Sequence, residues 1–236
     1  MTGKDKTRIL VIAPHPDDEV LGCGGSIANH VDAGREVAIA YLTSGEQGAT
    51  ATDRQAAGTI REREATQAAA ALGVPETALR FLRLGDGLLD PHDTDQFTAV
   101  MALLREQRPQ LLYLPHPDDA SFDHQAAFAL CWRAAGMAGS RNYPQCGAAH
   151  WVPTILGYEV WSPIGAPQYL EDITSAADRR LAALHCYASQ SAAAKGEGQA
   201  SHVGAPGMHL PGFRGASTTG GFREAFSVLR LGSVIA

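Results

Sequence analysis

The chain has 236 residues, of which 45% are hydrophobic, and this is enough to bury one large core. Its net charge is −6 and its 19 lysines and arginines are scattered, so the basic patch expected of a nucleic-acid-binding protein is missing. Its first residues contain no long apolar segment followed by a small-residue cleavage site, so we expect no secretory leader, and it has no run of about 18 apolar residues that could span a bilayer. We therefore expect a single soluble domain over residues 1–236, located in the cytoplasm.

Strands and helices alternate in the first part of the chain. Arg8–Ala13 is an apolar run rich in branched residues that stops at Pro14, which predicts a strand covered on both faces. Residues 26–34 predict a short helix closed by Gly34, and Glu36–Thr43 predicts a second strand. This order predicts a β-α-β unit, and hence an α/β protein with a parallel sheet.

The same alternation continues toward the C-terminus. Further helices are predicted at 60–72, 95–107, 125–138 and 175–187, and further strands at Leu79–Leu84, 110–114, 154–161 and 226–231. Residues 196–221 contain eight glycines and no apolar periodicity. Such a stretch predicts either a mobile cover over the active site or a disordered loop.

The cysteines are widely spaced and form no C-x-x-C pair. They are Cys23, Cys131, Cys146 and Cys186. This spacing predicts neither a zinc knuckle nor a redox motif. No basic cluster accompanies them, so we expect small core residues in a reduced compartment.

A dense group of ionisable residues follows the first strand, and consists of His15, Asp17, Asp18 and Glu19. Ligands of open α/β sheets bind outside the carboxyl ends of the strands, which is where this group is predicted to lie. Three carboxylates this close together would repel one another unless a cation or hydrogen bonds offset their charge. A bound metal ion would supply that charge.

Zinc binds histidine nitrogens and carboxylate oxygens, and a catalytic site keeps a position for water beside three protein ligands. His15 and Asp18 supply two of them. A second strand end with the sequence Pro-His-Pro-Asp-Asp, at 115–119, is followed by His124, which we expect to be the third. Asp17 would lie in the site without binding metal and act as the base that activates water. The alternative is that His15 and Asp18 are only turn and capping residues.

The ordered motifs of the chain resemble those of the LmbE-like or PIG-L family of zinc N-deacetylases. The family's P-H-P-D-D-E stands at 14–19 and is followed by the glycine-rich LGCGGSIA. Weaker similarities are LTSGEQG at 42–48, R-x-x-E at 61–64 with LG at 72–73, YEVWSP at 158–163, YASQ at 187–190 and EAF at 224–226. The resemblance covers nearly the whole chain.

This resemblance implies a Rossmann-like three-layer sandwich with a mostly parallel sheet. It implies a hydrolase that removes an N-acetyl or other N-acyl group from an amino sugar or its conjugate, so a small-molecule substrate is the expected partner. Zn²⁺ is the implied cofactor, with His15, Asp18 and His124 as its ligands. Asp17 is the implied general base and Arg61 an implied substrate-binding residue. The sequence leaves oligomeric state open, and a homo-oligomer is compatible with it.

The second motif departs from the family pattern, because many members carry His-x-Asp-His where this chain has S-F-D-H at 121–124. A serine hydroxyl can donate a hydrogen bond to an oxyanion but carries no positive charge, so another group substitutes or catalysis is weaker. We place Ser121 and Asp123 among the catalytic candidates, Asp123 as a group that orients a neighbour. The histidines that could substitute are His116, His202 and His209. His116 is also the second candidate for substrate binding.

Competing interpretations stay open at several positions. Arg61 and Glu64, at helical spacing, could form no more than a solvated ion pair. The glycine-rich turn at 22–25 has neither the P-loop lysine nor the dinucleotide-binding spacing, so nucleotide binding is not expected. Substrate contacts are expected from loops at 50–59 and 196–221.

Two other functions would use the same metal site. One is an amidase acting on a larger amide, such as a thiol conjugate or an antibiotic intermediate. The other is a metal-binding protein without catalysis, and the presence of Asp17 argues against it because the metal does not need that residue. The metal also stays open, since two histidines and one aspartate accept iron, cobalt or nickel as well as zinc.

Overall fold

Seven strands form one sheet in the computed structural model, which describes residues 7–48, 53–193 and 204–232. In chain order they are β1 (Arg8–Ala13), β2 (Glu36–Thr43), β3 (Leu79–Leu84), β4 (Leu111–Pro115), β5 (Thr154–Tyr158), β6 (Tyr169–Asp172) and β7 (Arg223–Arg230). Their order across the sheet is β3-β2-β1-β4-β5-β7-β6. The first five of these are parallel to one another, and β7 is antiparallel to both of its neighbours.

Seven α-helices accompany the sheet in the described part of the chain. They are α1 (Asp18–Asp32), α2 (Arg54–Leu72), α3 (Thr94–Gln107), α4 (Phe122–Met137), α5 (Ala177–His185), α6 (Ala188–Ala193) and α7 (Gly204–Ala216). Two apolar clusters flank the sheet, one with residues of α1, α2 and α5 and the other with residues of α3 and α4. The arrangement of helix, sheet and helix confirms the predicted three-layer sandwich with a mostly parallel sheet.

The central strand β1 shows why its sequence is apolar throughout. Ile9, Val11 and Ala13 lie in one apolar cluster, whereas Leu10 and Ile12 lie in the other. Successive side chains of a strand point to opposite faces, so a strand covered on both sides is apolar at every position. Full burial of each of the larger side chains is worth roughly 1.5–3 kcal/mol. The continuous apolar run at 8–13 is therefore explained by the burial of both faces of β1.

The chain reverses its direction across the sheet between β1 and β4. The strands β1, β2 and β3 proceed toward one edge, and β4 and β5 proceed toward the other. In doubly wound sheets this reversal opens a crevice outside the carboxyl ends of the strands. The two Pro-His-Pro-Asp-Asp segments, at 14–18 and 115–119, follow or overlap these two strand ends. The fold therefore brings both segments to one crevice.

The glycines at 22–25 lie inside α1, so the turn predicted there is wrong. The helix is kinked at Cys23, where φ is −151° and ψ is 24°. Beyond the kink, the Glu224 carboxylate accepts hydrogen bonds from the backbone N–H groups of Gly25 and Ser26, each at 2.8 Å. A carboxylate at the start of a helical segment satisfies its free N–H groups and complements its dipole.

Close packing explains these glycines better than a turn does. A Cβ at Gly22 would overlap the ring of Tyr158, and a Cβ at Gly25 would overlap the side chain of Ile173. Glycine lets the helix approach both side chains. The sequence shows the glycines, but it does not show that Tyr158 and Ile173 pack against them.

Helix α7 occupies half of the glycine-rich stretch at 196–221, so the loop predicted there is wrong for 204–216. Residues 196–203 lie outside the described residues. The helix is held by Arg214, which is buried and donates from Nε to Oε1 of Glu159 at 2.9 Å. Glu159 is distant from Arg214 in sequence, so the apolar periodicity of residues 196–221 could not predict this ion pair.

Smaller differences concern the ends of elements. The prediction did not include β6, a short edge strand whose sequence YLED has no apolar run. Helix α4 begins at Phe122, so His124 lies in its first turn and not before it. Helix α2 begins at Arg54, so residues 54–59 of the expected substrate loop are helical.

The cysteines carry no disulfide. Three of them, Cys23, Cys131 and Cys146, are buried as predicted, and Cys186 is half-buried. Among the described residues, no helix is long and apolar enough to cross a membrane.

Candidate active site

The turn between β1 and α1 contains an unusual backbone conformation at Asp17, with φ 128° and ψ −28°. A residue other than glycine rarely adopts a positive φ, and such strain is concentrated at functional sites. The Asp17 carbonyl accepts hydrogen bonds from the N–H groups of Val20 and Leu21, at 3.1 and 3.0 Å. Asp17 is thus the N-cap residue of α1. Its backbone carbonyl accepts hydrogen bonds from the first turn of the helix, but its side chain makes no capping bond.

The three predicted metal ligands form one cluster. Asp18 Oδ2 lies 3.2 Å from His15 Nδ1 and 3.1 Å from His124 Nε2. One potential ligand atom from each residue lies within 4.8 Å of the other two. Asp18 and His124 are fully buried, and His15 is half-buried. The fold therefore brings together the residues selected from the sequence, although their binding of a metal stays a prediction.

The donor atoms of this cluster fit a divalent cation. Asp18 Oδ1 and both ring nitrogens of His124 are buried and lack a hydrogen-bond partner within the described residues. A buried polar atom left unpaired costs roughly 1–3 kcal/mol. Two imidazoles and a carboxylate are also a donor set that catalytic zinc sites use. A cation beside Asp18 and His124 Nε2 would give those atoms the partner they lack, whereas His124 Nδ1 faces Asp119.

The ionisation of the cluster agrees with this requirement. Burial would raise the pKa of Asp18, but His124 and His15 hold it well below its ordinary value. Burial lowers the pKa of His124, yet the charge of Asp18 and the contact with Asp119 outweigh it and raise that pKa to about 9. The ionised carboxylate therefore favours positive charge at the imidazoles. A bound metal supplies such charge and releases the protons.

Asp119 is a fully buried carboxylate on the far side of His124, with its Oδ1 3.4 Å from His124 Nδ1. The N–H of Ser121 donates to the same oxygen at 3.0 Å, and the N–H of Trp161 donates to Oδ2 at 3.0 Å. A carboxylate beside the second ring nitrogen orients a metal-binding histidine. Sequence reasoning gave Asp119 no role. Its place in the second Pro-His-Pro-Asp-Asp segment was the signal that could have found it.

The other ring nitrogen of His15 faces two carboxylates. His15 Nε2 lies 3.0 Å from Asp123 Oδ2 and 3.2 Å from Asp86 Oδ1. The N–H of Gly87 also donates to Asp123 Oδ2 at 2.7 Å, which ties the loop after β3 to α4. Asp123 was expected to orient a neighbour, and His15 is the neighbour it contacts. Asp86 was not predicted as a site residue. The feature that could have indicated it is the sequence Gly-Asp-Gly directly after the carboxyl end of β3.

His15, Asp86 and Asp123 also have the spacing of a metal site. His15 belongs to both groups. Its Nδ1 faces Asp18 of the first group, and its Nε2 faces Asp123 of the second. In the arrangement with Asp18 and His124 as ligands, Asp86 and Asp123 accept hydrogen bonds from the outer nitrogen of His15. The first group is the better candidate for the metal because the orphaned atoms lie in it.

Arg61 is the partner of the predicted base. Its Nη2 donates to Asp17 Oδ2 at 3.0 Å and its Nη1 donates to the Gly45 carbonyl at 2.9 Å. Burial raises the pKa of Asp17 to about 7, although the positive charge of Arg61 opposes this rise. Arg61 was expected to bind substrate, and these contacts are with the protein itself. An aspartate with this pKa can exchange a proton near neutral pH.

Glu64 does not pair with Arg61, so the solvated ion pair suggested for these two residues is wrong. Both side chains are buried. The Glu64 carboxylate accepts hydrogen bonds from the Ser189 N–H at 2.8 Å and from the Ser189 hydroxyl at 2.6 Å. Glu64 therefore fastens α2 to the start of α6.

Glu19 is directed away from the metal cluster. Its Oε2 accepts a hydrogen bond from the Asp17 N–H at 3.1 Å, and its Oε1 accepts one from the Tyr187 hydroxyl. Burial raises the pKa of Glu19 to about 7. The three neighbouring carboxylates thus reduce their repulsion in three ways, since Asp17 faces Arg61, Asp18 faces the histidines and Glu19 faces a tyrosine.

The remaining candidates are less closely tied to the cluster. Ser121 precedes α4, and its backbone N–H is bound by Asp119. His116 is buried, donates from Nε2 to the Ser162 carbonyl at 2.8 Å, and accepts at Nδ1 from the Asp118 N–H. Both of its ring nitrogens are thus used by the backbone, which leaves it poorly suited to bind substrate. Of the other two histidines, His209 is exposed on α7 and His202 lies outside the described residues.

Comparison with known proteins places this site in a family context. The family model described as PIG-L, GlcNAc-PI de-N-acetylase, matches residues 10–135. A probable N-acetyl-α-D-glucosaminyl L-malate deacetylase 2 of Bacillus cereus is 30% identical over 78% of this chain and 84% of its own length. The diacetylchitobiose deacetylase of Thermococcus kodakarensis is 28% identical over 79% of this chain and 71% of its own length.

One similar protein has a different kind of activity in its name. The 4-oxalmesaconate hydratase of Pseudomonas putida is 26% identical over 77% of this chain and 73% of its own length. Among solved structures, a conserved protein of Thermus thermophilus superposes with a TM-score of 0.82 at 31% identity. That likeness covers 98% of this chain and 97% of the other.

Proposed function

Since the chain belongs to the PIG-L (GlcNAc-PI de-N-acetylase) family, we propose that it is a zinc-dependent deacetylase that hydrolyses the N-acetyl group of an amino sugar or its conjugate. The observation that carries the proposal is the position of Asp17, next in sequence to Asp18 of the His15–Asp18–His124 cluster and paired with Arg61. One relative is named a diacetylchitobiose deacetylase and another a probable N-acetyl-α-D-glucosaminyl L-malate deacetylase, and these names support the substrate class.

The proposed metal ligands are His15, Asp18 and His124. Zinc held there would supply Lewis acidity, which polarises an amide carbonyl and acidifies water. Asp119 would position His124, and Asp123 and Asp86 would position His15, by accepting hydrogen bonds from their outer ring nitrogens. Iron, cobalt or nickel could occupy the same donor set, so the choice of zinc is part of the proposal.

Asp17 would carry the proton through the reaction. As the base, its carboxylate removes a proton from water while the water oxygen attacks the acetyl carbonyl carbon. The same carboxyl group then gives this proton to the amine nitrogen as the C–N bond breaks. The products are acetate and a free amine. Arg61 holds the Asp17 carboxylate in place through the bond from Nη2 to Oδ2.

Stabilisation of the oxyanion is the step at which this chain departs from the family pattern. Ser121 stands where the motif pattern of the family that the sequence resembles has a histidine, and its hydroxyl supplies at most one neutral hydrogen bond. Among the two described histidines considered as substitutes, His116 is held by backbone groups and His209 is exposed. We therefore include Ser121 as the donor to the oxyanion and keep His209 as its alternative.

The test is the release of acetate and free amine from a panel of N-acetylglucosamine conjugates by zinc-loaded protein. The panel includes amides with larger acyl groups, because an amidase would prefer those. We expect turnover of the acetyl compounds, loss of turnover after chelation and recovery when zinc is returned. Loaded protein that releases no acetate from any conjugate would contradict the proposal.

A hydratase is the second candidate, because one relative is named 4-oxalmesaconate hydratase. A metal and a base that activate water could also serve its addition to a carbon–carbon double bond. The two functions differ in their products, since a hydratase releases no acetate. Loss of the ultraviolet absorbance of 4-oxalmesaconate, with no acetate released from the sugars, would favour this second function.

A further inference from the structure

The backbone conformation of Asp17 requires support from its surroundings. Its φ of 128° lies in the region that residues other than glycine rarely adopt. Such a conformation persists only where neighbouring groups hold it in place. Arg61 holds the side chain through Asp17 Oδ2, but the angle φ is a property of the backbone. The contacts of the peptide group that precedes Asp17 therefore decide how this conformation is maintained.

The peptide group that joins Pro16 to Asp17 is held at both ends. Arg61 Nη2 donates to the Pro16 carbonyl at 2.5 Å, and the Asp17 N–H donates to Glu19 Oε2 at 3.1 Å. A peptide group is planar, so these two bonds fix the orientation of the whole plane. Rotation of this plane relative to the Asp17 Cα is the angle φ. Glu19 therefore helps to set the direction in which the Asp17 carboxyl group points.

Glu19 is in turn held by Tyr187. The Tyr187 hydroxyl donates to Glu19 Oε1, and both side chains are fully buried. Each oxygen of the carboxylate thus faces a different donor, so the group cannot turn without leaving one donor unpaired. A buried donor without a partner is unfavourable, which couples the two hydrogen bonds of Glu19 to each other. Tyr187 can therefore act on the backbone of Asp17 through Glu19.

The chain around Tyr187 is fastened to the helix that carries Arg61. Tyr187 lies in the link between α5 and α6. Ser189 at the start of α6 donates to the Glu64 carboxylate from its N–H at 2.8 Å and from its hydroxyl at 2.6 Å. Glu64 lies about one turn beyond Arg61 in α2. The two segments that hold the peptide group before the proposed base are thus joined to each other.

We propose that Tyr187 is a positioning residue for the general base, acting through Glu19 on the backbone of Asp17. The inference rests on the proposed deacetylase function and adds to it a role for the YASQ segment at 187–190. The direction of the carboxyl group matters because a displacement of about 1 Å can lower the rate of a reaction about 100-fold. Loss of the Tyr187 hydroxyl should therefore slow the chemical step and leave substrate affinity unchanged.

Tyr187→Phe removes the hydroxyl and keeps the ring. We expect kcat for acetate release to fall about tenfold, with KM changed by less than about twofold, because the interaction serves the chemical step and not binding. The zinc content should be unchanged. The control is Tyr158→Phe, which also removes a buried hydroxyl, one that donates to the Ile12 carbonyl at 2.9 Å. Equal losses of kcat in the two variants would mean a general loss of stability and would overturn the inference.

Two substitutions of Glu19 test whether its hydrogen bonds are what matters. The amide of Glu19→Gln can accept from the Asp17 N–H through its oxygen and donate to the Tyr187 oxygen through its nitrogen. We therefore expect Glu19→Gln to keep kcat within about threefold, whereas Glu19→Ala should lose about 100-fold. A Glu19→Gln variant as slow as Glu19→Ala would show that the charge of Glu19 acts instead, and would contradict the inference.

Hydrogen exchange separates this inference from the proposed function. The Asp17 amide, followed by NMR, should exchange about tenfold faster in Tyr187→Phe than in the unaltered protein, because its acceptor is less firmly held. Tyr158→Phe should keep the original rate. If this pattern is found while no conjugate releases acetate, the positioning contact stands and the deacetylase proposal fails. An unchanged exchange rate of the Asp17 amide in Tyr187→Phe overturns the inference, as does an unchanged kcat.

Discussion

Arg61 Nη2 donates a hydrogen bond to Asp17 Oδ2 over 3.0 Å, and both side chains are almost fully buried. This pairing changes the interpretation of the arginine. A residue expected to bind substrate is in contact with the proposed base, where its charge lowers a pKa that burial raises. Arg61 is thus suited to hold Asp17 in position and to favour its ionised form.

We expect Arg61→Gln to lower kcat/KM about 100-fold, because it disturbs a general base whose contribution is of the order of 10²–10⁴. Loss of the positive charge raises the pKa of Asp17, so the acid limb of the pH–rate profile should move to higher pH. Acetate release between pH 5 and 9 measures both effects. The control is Arg63→Gln, an exposed arginine of the same helix. An unmoved acid limb would argue against the pairing as a functional contact.

Asp17→Asn should retain zinc and lose activity by about 10³-fold, because the amide cannot accept the proton of the attacking water. Metal content by elemental analysis and acetate release are measured on the same sample. Asp118→Asn is a matched control, since Asp118 occupies the equivalent position of the second Pro-His-Pro-Asp-Asp segment and is exposed. Normal turnover by Asp17→Asn would remove Asp17 from the mechanism, and loss of zinc would make it a ligand.

Asp119→Asn should weaken zinc binding by about 10–100-fold, the usual effect of removing a carboxylate behind a metal-binding histidine. The reason is that an amide at this position no longer holds His124 with a negatively charged oxygen. Competition with a chromophoric chelator gives the affinity. Asp118→Asn again serves for comparison and should bind zinc like the unaltered protein. Equal affinities for all three proteins would show that Asp119 only fixes the loop around Trp161.

The buried His30 should lower the free energy of unfolding of the protein in acid. It is buried, its Nε2 lies 2.8 Å from the Tyr113 hydroxyl, and Arg35 donates to its Nδ1 at 2.9 Å. Burial and the charge of Arg35 lower its pKa from 6.5 to about 4. The folded state therefore stays neutral at a pH where the unfolded chain binds a proton. Above about pH 6.5 this group has no pH-dependent effect on the free energy of unfolding. Its contribution lowers that free energy as the pH falls from about 6.5 to about 4, and causes no further decrease below about pH 4.

The full cost of this titration is about 3 kcal/mol, since one pKa unit corresponds to about 1.4 kcal/mol. The difference between the free energies of unfolding at pH 7.5 and pH 4.5 should be smaller for His30→Gln than for the unaltered protein. Urea denaturation at both pH values gives the two free energies. His92→Gln, at an exposed position, is the control and should keep the original difference. An unchanged difference in His30→Gln would mean that His30 is not the group responsible.

Local sequence determined the central strands and the identity of the metal-ligand candidates. The bounds of β1, β2 and β3 were predicted as the structure has them. β1 is covered on both faces and is apolar at nearly every position, and the three strands end before Pro14, Ser44 and Gly85, residue types that favour turns. His15 and Asp18 could be chosen together because both follow the same strand end. Their chemistry is local, so no knowledge of the packing was needed.

Tertiary structure decided which distant groups complete the site. The contacts of Asp86 with His15, of Asp119 with His124 and of Arg61 with Asp17 depend on where the loops after β3 and β4 and the helix α2 come to lie. Sequence spacing carries no information on such distances. The sequence suggested Arg61 and Glu64 as one pair, whereas the fold gives each a separate buried partner.

The glycine-rich segments show the same division. Glycine is read from a sequence as a turn or a loop, because it adopts conformations that other residues avoid. At Gly22 the decisive property is instead its small size, since the ring of Tyr158 occupies the space of a Cβ inside a helix. Helix α7 likewise depends on the buried pair of Arg214 and Glu159. Local composition thus determined the strands and the reactive residues, while contacts between remote segments decided the helices built around glycine and the surroundings of the metal ligands.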